Sequence, residues 1–186
     1  MNITQTAAKA AIELSDTLAQ IDESSVQKLV QMALEAKKIY FAGAGRSLLA
    51  LRCVAMRFMH VGFDVYVVGD TTTPAFEQED LIIIGSGSGE TAGLINVAAK
   101  AKKIGGKIAL ISIRNESSIA SMCDLVVRIP AYTDKIEDAS MKKPILPGGT
   151  MFEQAMLVLG DTMILSLGEK NGISTDKYFN RHANLE

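Results

Sequence analysis

Residues 80–91 read DLIIIGSGSGET, so a short run of large apolar residues is followed at once by three glycines and three hydroxyl side chains. The apolar run is continuous rather than alternating, which is typical of a β-strand covered on both faces. Glycine loses more conformational freedom on folding than other residues, so we expect a loop this rich in glycine to serve something other than stability. The stretch therefore indicates a buried strand that ends in a functional loop.

Further apolar runs of the same kind occur elsewhere in the chain. They lie at residues 39–42, 65–68, 108–113 and 125–129, with helical patterns at 6–19, 26–37, 47–61, 91–104, 117–122 and 150–170. The alternation of strands and helices predicts an α/β fold, a three-layer α-β-α sandwich around a five-stranded parallel sheet, with extra helices at both termini. The common flavodoxin-like strand order would be 2-1-3-4-5. We expect one domain over residues 1–186, with no further domain at either end.

Local signals mark several helix ends. Ser24 or Ser25 is a suitable N-cap for the segment 26–37, and Gly105-Gly106 is a C-cap signal for the segment 91–104. The segment 150–170 is apolar almost all round, and a helix without a polar face needs cover on several sides. We expect part of that cover to come from a second copy of the chain, which predicts a homo-oligomer.

The composition argues against several classes of protein. Hydrophobic residues make up 48% and charged residues 22%, as in globular proteins, and the formal net charge of −2 gives no attraction to nucleic acid or to an anionic membrane. The longest apolar stretch, 151–167, is too broken by polar residues to span a bilayer, and the N-terminus does not resemble a signal peptide. Cys53 and Cys123 stand alone, which fits a reducing cytoplasm and argues against a structural zinc site.

Two glycine loops carry the chemistry of this sequence. Residues 43–47 (GAGRS) follow the first predicted strand, and residues 85–89 (GSGSG) follow the third. In the order 2-1-3-4-5 these loops lie side by side at the switch point where open α/β sheets bind ligands. Glycines let backbone N–H groups approach an anion, and a following helix N-terminus adds a favourable dipole. With hydroxyls from Ser47, Ser86, Ser88 and Thr91, the pattern predicts a site for a phosphate monoester.

Other phosphate-binding patterns fit less well. A Walker A loop needs a lysine that neither loop contains. A dinucleotide fingerprint needs a third glycine where this chain has Leu48, although Asp70 after the second strand could imitate the acidic ribose ligand, so that interpretation stays open. Two plain tight turns with no ligand are the remaining alternative.

At these residues the chain resembles the sugar isomerase (SIS) family. The resemblance is carried by residues 42–47 and 85–91 and is narrowed by residues 149–154 (GTMFEQ) and 181–186 (RHANLE). It implies a sugar-phosphate site without metal or other cofactor. The substrate-binding residues that it implies are Arg46, Ser47, Ser86, Gly87, Ser88, Gly89, Glu90 and Thr91. A solvated loop arginine is the alternative for Arg46.

The resemblance also implies an activity. Within the family, the chain is similar to the tetrameric members that interconvert D-arabino-hex-3-ulose 6-phosphate and D-fructose 6-phosphate in the ribulose monophosphate pathway of formaldehyde fixation. Two alternatives stay open: another aldose–ketose isomerase, such as one acting on a pentose 5-phosphate, and a non-catalytic sugar-phosphate sensor.

Moving a carbonyl between C3 and C2 through a cis-enediol requires a general base but neither metal nor nicotinamide. The resemblance aligns Glu153 with the proton acceptor of the family. The alternative from position alone is a capping box, in which Thr150 caps the helix and Glu153 ties back to its backbone. Glu90 is a rival base, although it would repel a phosphate unless turned away.

Two histidines and one long segment also carry predictions. His182 is expected to assist proton movement at the sugar oxygens, in its own or a neighbouring subunit's site, unless the C-terminus is merely a disordered tail. His60 is expected to interact with the C-terminal dipole of its helix rather than to act as a catalyst. Residues 131–149 show no period and form a long predicted loop that could close over the site.

Overall fold

The structure, a computed structural model, describes residues 1–134, 143–172, 178 and 180–185. Its strands are β1 (Ile39–Gly43), β2 (Val65–Val67), β3 (Leu81–Gly85), β4 (Lys107–Ser112) and β5 (Leu125–Arg128). Its α-helices are α1 (Ile3–Leu18), α2 (Glu23–Glu35), α3 (Gly45–His60), α4 (Ala92–Ile104) and α5 (Thr150–Lys170). The predicted helix at 117–122 is present only as a 3-10 turn at Ala120–Met122.

The sheet confirms the predicted topology. All strand pairs are parallel, and the strand order is β2-β1-β3-β4-β5. Strands β1 and β3 are neighbours, with Gly43 in register with Gly85. Because the two strands run in the same direction and end at the same level, the glycine loops that follow them are brought side by side.

Helices cover both faces of the sheet, which explains why the strand sequences are apolar without alternation. On one face, α2, α3 and α5 pack over side chains such as Phe41, Ile83 and Ile111, and Phe41 meets Phe58 edge to face at 5.3 Å. On the other face, α4 and the 3-10 turn pack over a second cluster that contains Tyr40. Each fully buried large side chain contributes about 1.5–3 kcal/mol by leaving water.

Helix α5 receives most of its cover from within the chain. It contacts α1, α2 and α3, and Met156, Met163 and Leu167 are buried in the core. Three neighbouring helices therefore account for most of its apolar surface, and the exposed strip that remains includes Val158 and Leu165. The apolar surface of α5 that a second copy of the chain could cover is thus limited to this narrow strip.

The helix starts differ from those predicted. Helix α2 begins at Glu23, and its N-cap is Asp22, whose carboxylate accepts a hydrogen bond from the backbone N–H of Ser25 at 2.9 Å. The prediction that Ser24 or Ser25 caps this helix is wrong, since the Ser24 hydroxyl instead donates to Asp22. Gly105 ends α4 in the left-handed conformation, as predicted.

Among the residues that the structure describes, no helix has both the length and the apolar character needed to cross a membrane.

Candidate active site

A cavity of about 300 Å³ lies at the carboxyl ends of β1 and β3. Both glycine loops and the first turn of α5 line it. Of the residues predicted to form a site, it is lined by Arg46, Ser47, Ser86, Gly87, Ser88, Thr91 and Glu153. A volume of this size is at the lower end of the range for small-ligand pockets. The fold therefore brings seven of the ten predicted site residues together.

The first glycine loop presents an open helix N-terminus to the cavity. Helix α3 begins at Gly45, whose φ is +55°, and its N-cap Ala44 provides no side-chain hydrogen bond. The first N–H groups of an α-helix have no partner within the helix, so an anion can satisfy them. A Cβ on Gly43 would lie 3.0 Å from Leu48 Cα, so the strand can approach the helix only because this residue is glycine.

The second glycine loop is held in shape by its own hydroxyls. Ser86 is buried, its Oγ accepts from the N–H of Gly89 at 3.2 Å, and it lies 3.3 Å from Thr91 Oγ1. Gly89 has a φ of +67°, and a Cβ there would overlap Ser117. A side chain at Gly85 would collide with Leu51 and Met156. The glycines are therefore required by close packing and backbone conformation as well as by access to a ligand.

Glu90 points out of the cavity. Its Oε1 accepts from the backbone N–H of Ser118 at 2.8 Å. The hydrogen bond from the Ser118 side chain, then the one from its backbone and a smaller contribution from Arg114, lower the pKa of Glu90. Neither Glu90 nor Gly89 lines the cavity. The structure therefore does not place Glu90 as a substrate ligand or as a rival base, because its carboxylate is engaged in fixing the turn that follows β4.

Glu153 lies in the first turn of α5, where it faces Arg46 across the cavity. Arg46 Nε donates to Glu153 Oε2 at 2.5 Å, and the Glu153 side chain is 15% exposed. The capping box does not form, because the helix N-cap is Gly149 and the Thr150 hydroxyl donates to the carbonyl of Pro147 at 2.7 Å. Glu153 is thus free of a capping role and faces the cavity, and Arg46 is paired with it although the arginine side chain is largely exposed.

His182 does not reach the cavity of its own chain. Its ring stacks on His60 with centroids 5.2 Å apart, and Arg181 donates to the carbonyl of Met59 at 3.4 Å. His60 is the last residue of α3, and the cavity is at the first turn of that helix. Since 16 residues of helix span about 24 Å, His182 and Glu153 lie at opposite ends of the domain.

His60 itself is buried rather than merely placed beside a helix dipole. Its side chain is 2% exposed, and Arg57 Nη1 lies 3.5 Å from its Nδ1. Burial, followed by the nearby Arg57 and His182, lowers the pKa of His60. Its environment therefore favours the neutral imidazole.

Several cavity residues were not among the predicted site residues. Thr133 is buried and follows β5, while Phe152 and Ile113 form apolar parts of the wall. Thr133 and Gly149 come from the two ends of the segment 131–149. The prediction that this segment closes over the site concerns residues 135–142 as well, which lie outside the described part of the chain. The rule that parallel strands end at a common edge was the only signal that could have indicated Thr133.

The dinucleotide alternative loses support from the geometry. Asp70, the stand-in for an acidic ribose ligand, pairs with Arg52 at 2.5 Å and lines a separate cavity beside β2. No cluster of three His, Cys, Asp or Glu side chains that could hold a metal occurs in the part of the chain that is described. The arrangement that remains is one cavity with hydroxyls and helix N–H groups on one side and a carboxylate on the other.

Comparisons with known proteins point to the same chemistry. The family model of the SIS domain matches residues 32–155. The 3-hexulose-6-phosphate isomerase of Bacillus subtilis (strain 168) is 42% identical over 186 residues, which is 100% of both chains. That of Mycobacterium gastri is 38% identical over 174 residues, or 94% of this chain and 86% of the relative.

A solved structure extends the likeness to three dimensions. A hypothetical protein from Methanococcus jannaschii matches with a TM-score of 0.80 and 34% sequence identity, covering 93% of this chain and 97% of that chain. Its crystal structure is described as inferring a molecular function of 3-hexulose-6-phosphate isomerase.

Proposed function

This chain belongs to the SIS domain family and is a sugar-phosphate isomerase, and from that premise we propose that it interconverts D-arabino-hex-3-ulose 6-phosphate and D-fructose 6-phosphate. The observation that carries the proposal is the shared cavity of Ser47, Ser86, Ser88 and Glu153. A phosphate site and a carboxylate in one cavity are what an enediol isomerase requires. The relatives named 3-hexulose-6-phosphate isomerase support this choice of substrate.

In the proposed complex, the phosphate occupies the edge of the sheet between the two glycine loops. Ser47, Ser86, Ser88 and Thr91 offer hydroxyl donors, and the first N–H groups of α3 add backbone donors and a positive dipole. Hydrogen bonds to charged groups contribute about 1.5–3 kcal/mol each, so a few of them suffice to anchor a monoester.

Glu153 is then the general base. It takes the proton from C2 of the hex-3-ulose, the electrons of that C–H bond form the C2–C3 double bond, and the former carbonyl oxygen on C3 gains a proton. The resulting cis-enediol collapses when the hydroxyl on C2 loses its proton and C3 receives one from Glu153. One carbon-bound proton leaves and one arrives, so no net oxidation occurs, and general base catalysis contributes about 10²–10⁴-fold to the acceleration.

A substrate panel tests this function. Wild-type protein is assayed with hexulose and pentulose phosphates, with and without a chelator, beside Glu153→Gln. We expect turnover of the hex-3-ulose 6-phosphate, and about a 10²-fold or larger loss in the variant with substrate binding retained. Turnover of a pentose phosphate alone would replace the proposed substrate. Binding without turnover in the wild type would instead support the sensor alternative.

We further propose that the protein is a cytoplasmic homo-oligomer, a tetramer, and acts in formaldehyde fixation through the ribulose monophosphate pathway. Exposed apolar side chains on two helices, at Leu49, Met56, Val158 and Leu165, support self-association. His182 would then act in a neighbouring subunit's site, since it lies far from Glu153 in its own. Sedimentation velocity measures the mass directly, and a monomer at micromolar concentration would remove both proposals.

A further inference from the structure

The charged side chains of the cavity are bound to each other. Among the described residues that line it, only Arg46 and Glu153 carry charge, and the 2.5 Å contact joins Arg46 Nε to Glu153 Oε2. The Arg46 side chain is 66% exposed and the Glu153 side chain 15%. An ion pair between the start of α3 and the first turn of α5 therefore crosses the cavity that the substrate must enter.

Arg46 and Glu153 each have a different role once a sugar phosphate is bound. Arg46 directly precedes Ser47, so its backbone is already at the phosphate end of the cavity. A phosphate group carries more negative charge and more acceptor oxygens than a carboxylate, and it suits the planar guanidinium fork. While Arg46 Nε holds Glu153 Oε2, that oxygen is not free to accept a proton from carbon. The pair seen in the structure serves neither purpose.

We propose that the phosphate of the substrate draws Arg46 away from Glu153, so that the base is released only when a phosphorylated ligand is bound. This inference rests on the proposed function, because it takes Glu153 as the base. Arg46 is here a positioning residue that acts through Glu153. The arrangement makes the phosphate a condition for proton abstraction as well as a source of binding energy, and it leaves the base engaged when a sugar lacks the phosphate.

Competition for Arg46 has a thermodynamic signature. If phosphate must displace Glu153, removing the Glu153 charge frees Arg46 in advance and strengthens binding. Simple repulsion between Glu153 and the anion would also strengthen binding on that change, but it would do so whether or not Arg46 is present. If removing the Glu153 charge strengthens binding only when Arg46 is present, Glu153 is released from Arg46 by the phosphate. If it strengthens binding equally without Arg46, simple repulsion is the cause.

The test is a double-mutant cycle on ligand binding. Isothermal titration calorimetry measures the Kd of inorganic phosphate and of an unreactive hexitol 6-phosphate for wild type, Glu153→Gln, Arg46→Met and the double variant. If phosphate releases Glu153 from Arg46, Glu153→Gln should lower Kd by about threefold. This factor corresponds to the free energy of one partly exposed ion pair. In the Arg46→Met background, the same change is expected to alter Kd less than about 1.5-fold. Glu153→Ala and Arg46→Lys repeat the cycle with other side chains.

The chain offers a matched control in Arg52, which pairs with Asp70 at 2.5 Å on the same helix but lines a different cavity. Arg52→Met is expected to leave both Kd values unchanged. Two results would overturn the proposal that phosphate releases Glu153. One is a gain in affinity on Glu153→Gln that persists without Arg46, and the other is no gain in affinity at all. A wild type that fails to isomerise the hexulose phosphate would refute the proposed function instead, since the binding cycle does not depend on turnover.

Discussion

At the scale of single residues, the hydroxyls around the cavity are not equivalent. Ser86 Oγ and Ser88 Oγ each accept a hydrogen bond from the backbone of their own loop, from Gly89 and Glu90 respectively. Within the described part of the chain, the Ser47 hydroxyl makes no hydrogen bond. Ser86 and Ser88 therefore shape the loop as well as offering donors, whereas Ser47 can give its whole hydrogen-bonding capacity to a ligand.

Ser47→Ala is therefore expected to weaken substrate binding without weakening the fold. Losing one hydrogen bond to a charged group, about 1.5 kcal/mol, corresponds to a KM about tenfold higher, with the free energy of unfolding changed by less than about 0.5 kcal/mol. Steady-state kinetics and urea unfolding measure the two effects. Ser121→Ala, on the exposed 3-10 turn, is the control for KM, which should stay unchanged because this hydroxyl donates to the Ser118 carbonyl and does not line the cavity. An unaltered KM for Ser47→Ala would argue against Ser47 as a phosphate ligand.

At the scale of elements, the packing of α5 against α3 sets the distance across the cavity. Arg46 lies in the first turn of α3 and Glu153 in the first turn of α5. Further along, the two helices are in contact at Val54 and Gly160. A Cβ at Gly160 would overlap the Val54 side chain. The closeness of the two helices, and with it the contact between Arg46 and Glu153, depends on the missing side chain at this crossing.

Gly160→Ala tests this crossing. In an unconstrained helix the change would add about 1 kcal/mol of stability, but the collision with Val54 is expected to reverse the sign and cost about 1–3 kcal/mol. Urea unfolding measures the difference. Adding Val54→Ala removes the collision and should recover part of the loss. Gly93→Ala in α4, where a Cβ meets nothing within 4 Å, is the matched control and should not destabilise. A stabilised Gly160→Ala would contradict the close crossing.

At the scale of the whole molecule, the two ends of the sheet have different roles. The carboxyl ends of the strands carry the cavity, and the opposite end carries the stacked pair of His60 and His182. Arg57 and Arg181 are the cations beside this pair, and His60 is buried among them. Protonating His60 in the folded protein therefore places a charge in an apolar and already cationic environment.

The pKa of His60 is lowered by folding, so the unfolded chain binds more protons than the folded one as the pH falls past about 6.5. Stability is thus expected to be constant between about pH 7.5 and 8 and to decrease from pH 7 toward pH 5. The lowered pKa values of Asp22, Glu77 and Glu90 add to this decrease mainly below about pH 5. Thermal unfolding at pH 5–8 measures the slope, which should be shallower in His60→Gln. Parallel curves for the two proteins would exclude His60 as the source.

The prediction from sequence was accurate where one residue type imposes one geometry. The apolar runs placed all five strands, and the glycines at 43 and 85 marked the strand ends correctly because a Cβ at either position would crowd a packed helix, α3 at Gly43 and both α3 and α5 at Gly85. Prediction failed at α2, whose start depends on a competition among Asp22, Ser24 and Ser25 that differs by fractions of a kcal/mol. It also could not identify the partner of Glu90, since Ser118, which holds the carboxylate away from the cavity, is distant in sequence.

The sequence by itself determined the parallel α/β sheet, the position of the two glycine loops at its strand ends and the family, because these follow from local periodicity and from short motifs with few alternative uses. The tertiary structure alone decided which charged side chains meet. The contacts of Arg46 with Glu153, and of His182 with His60, join residues more than a hundred positions apart. No local pattern encodes such pairs, since they form only after strand order and helix packing have set the distances between elements.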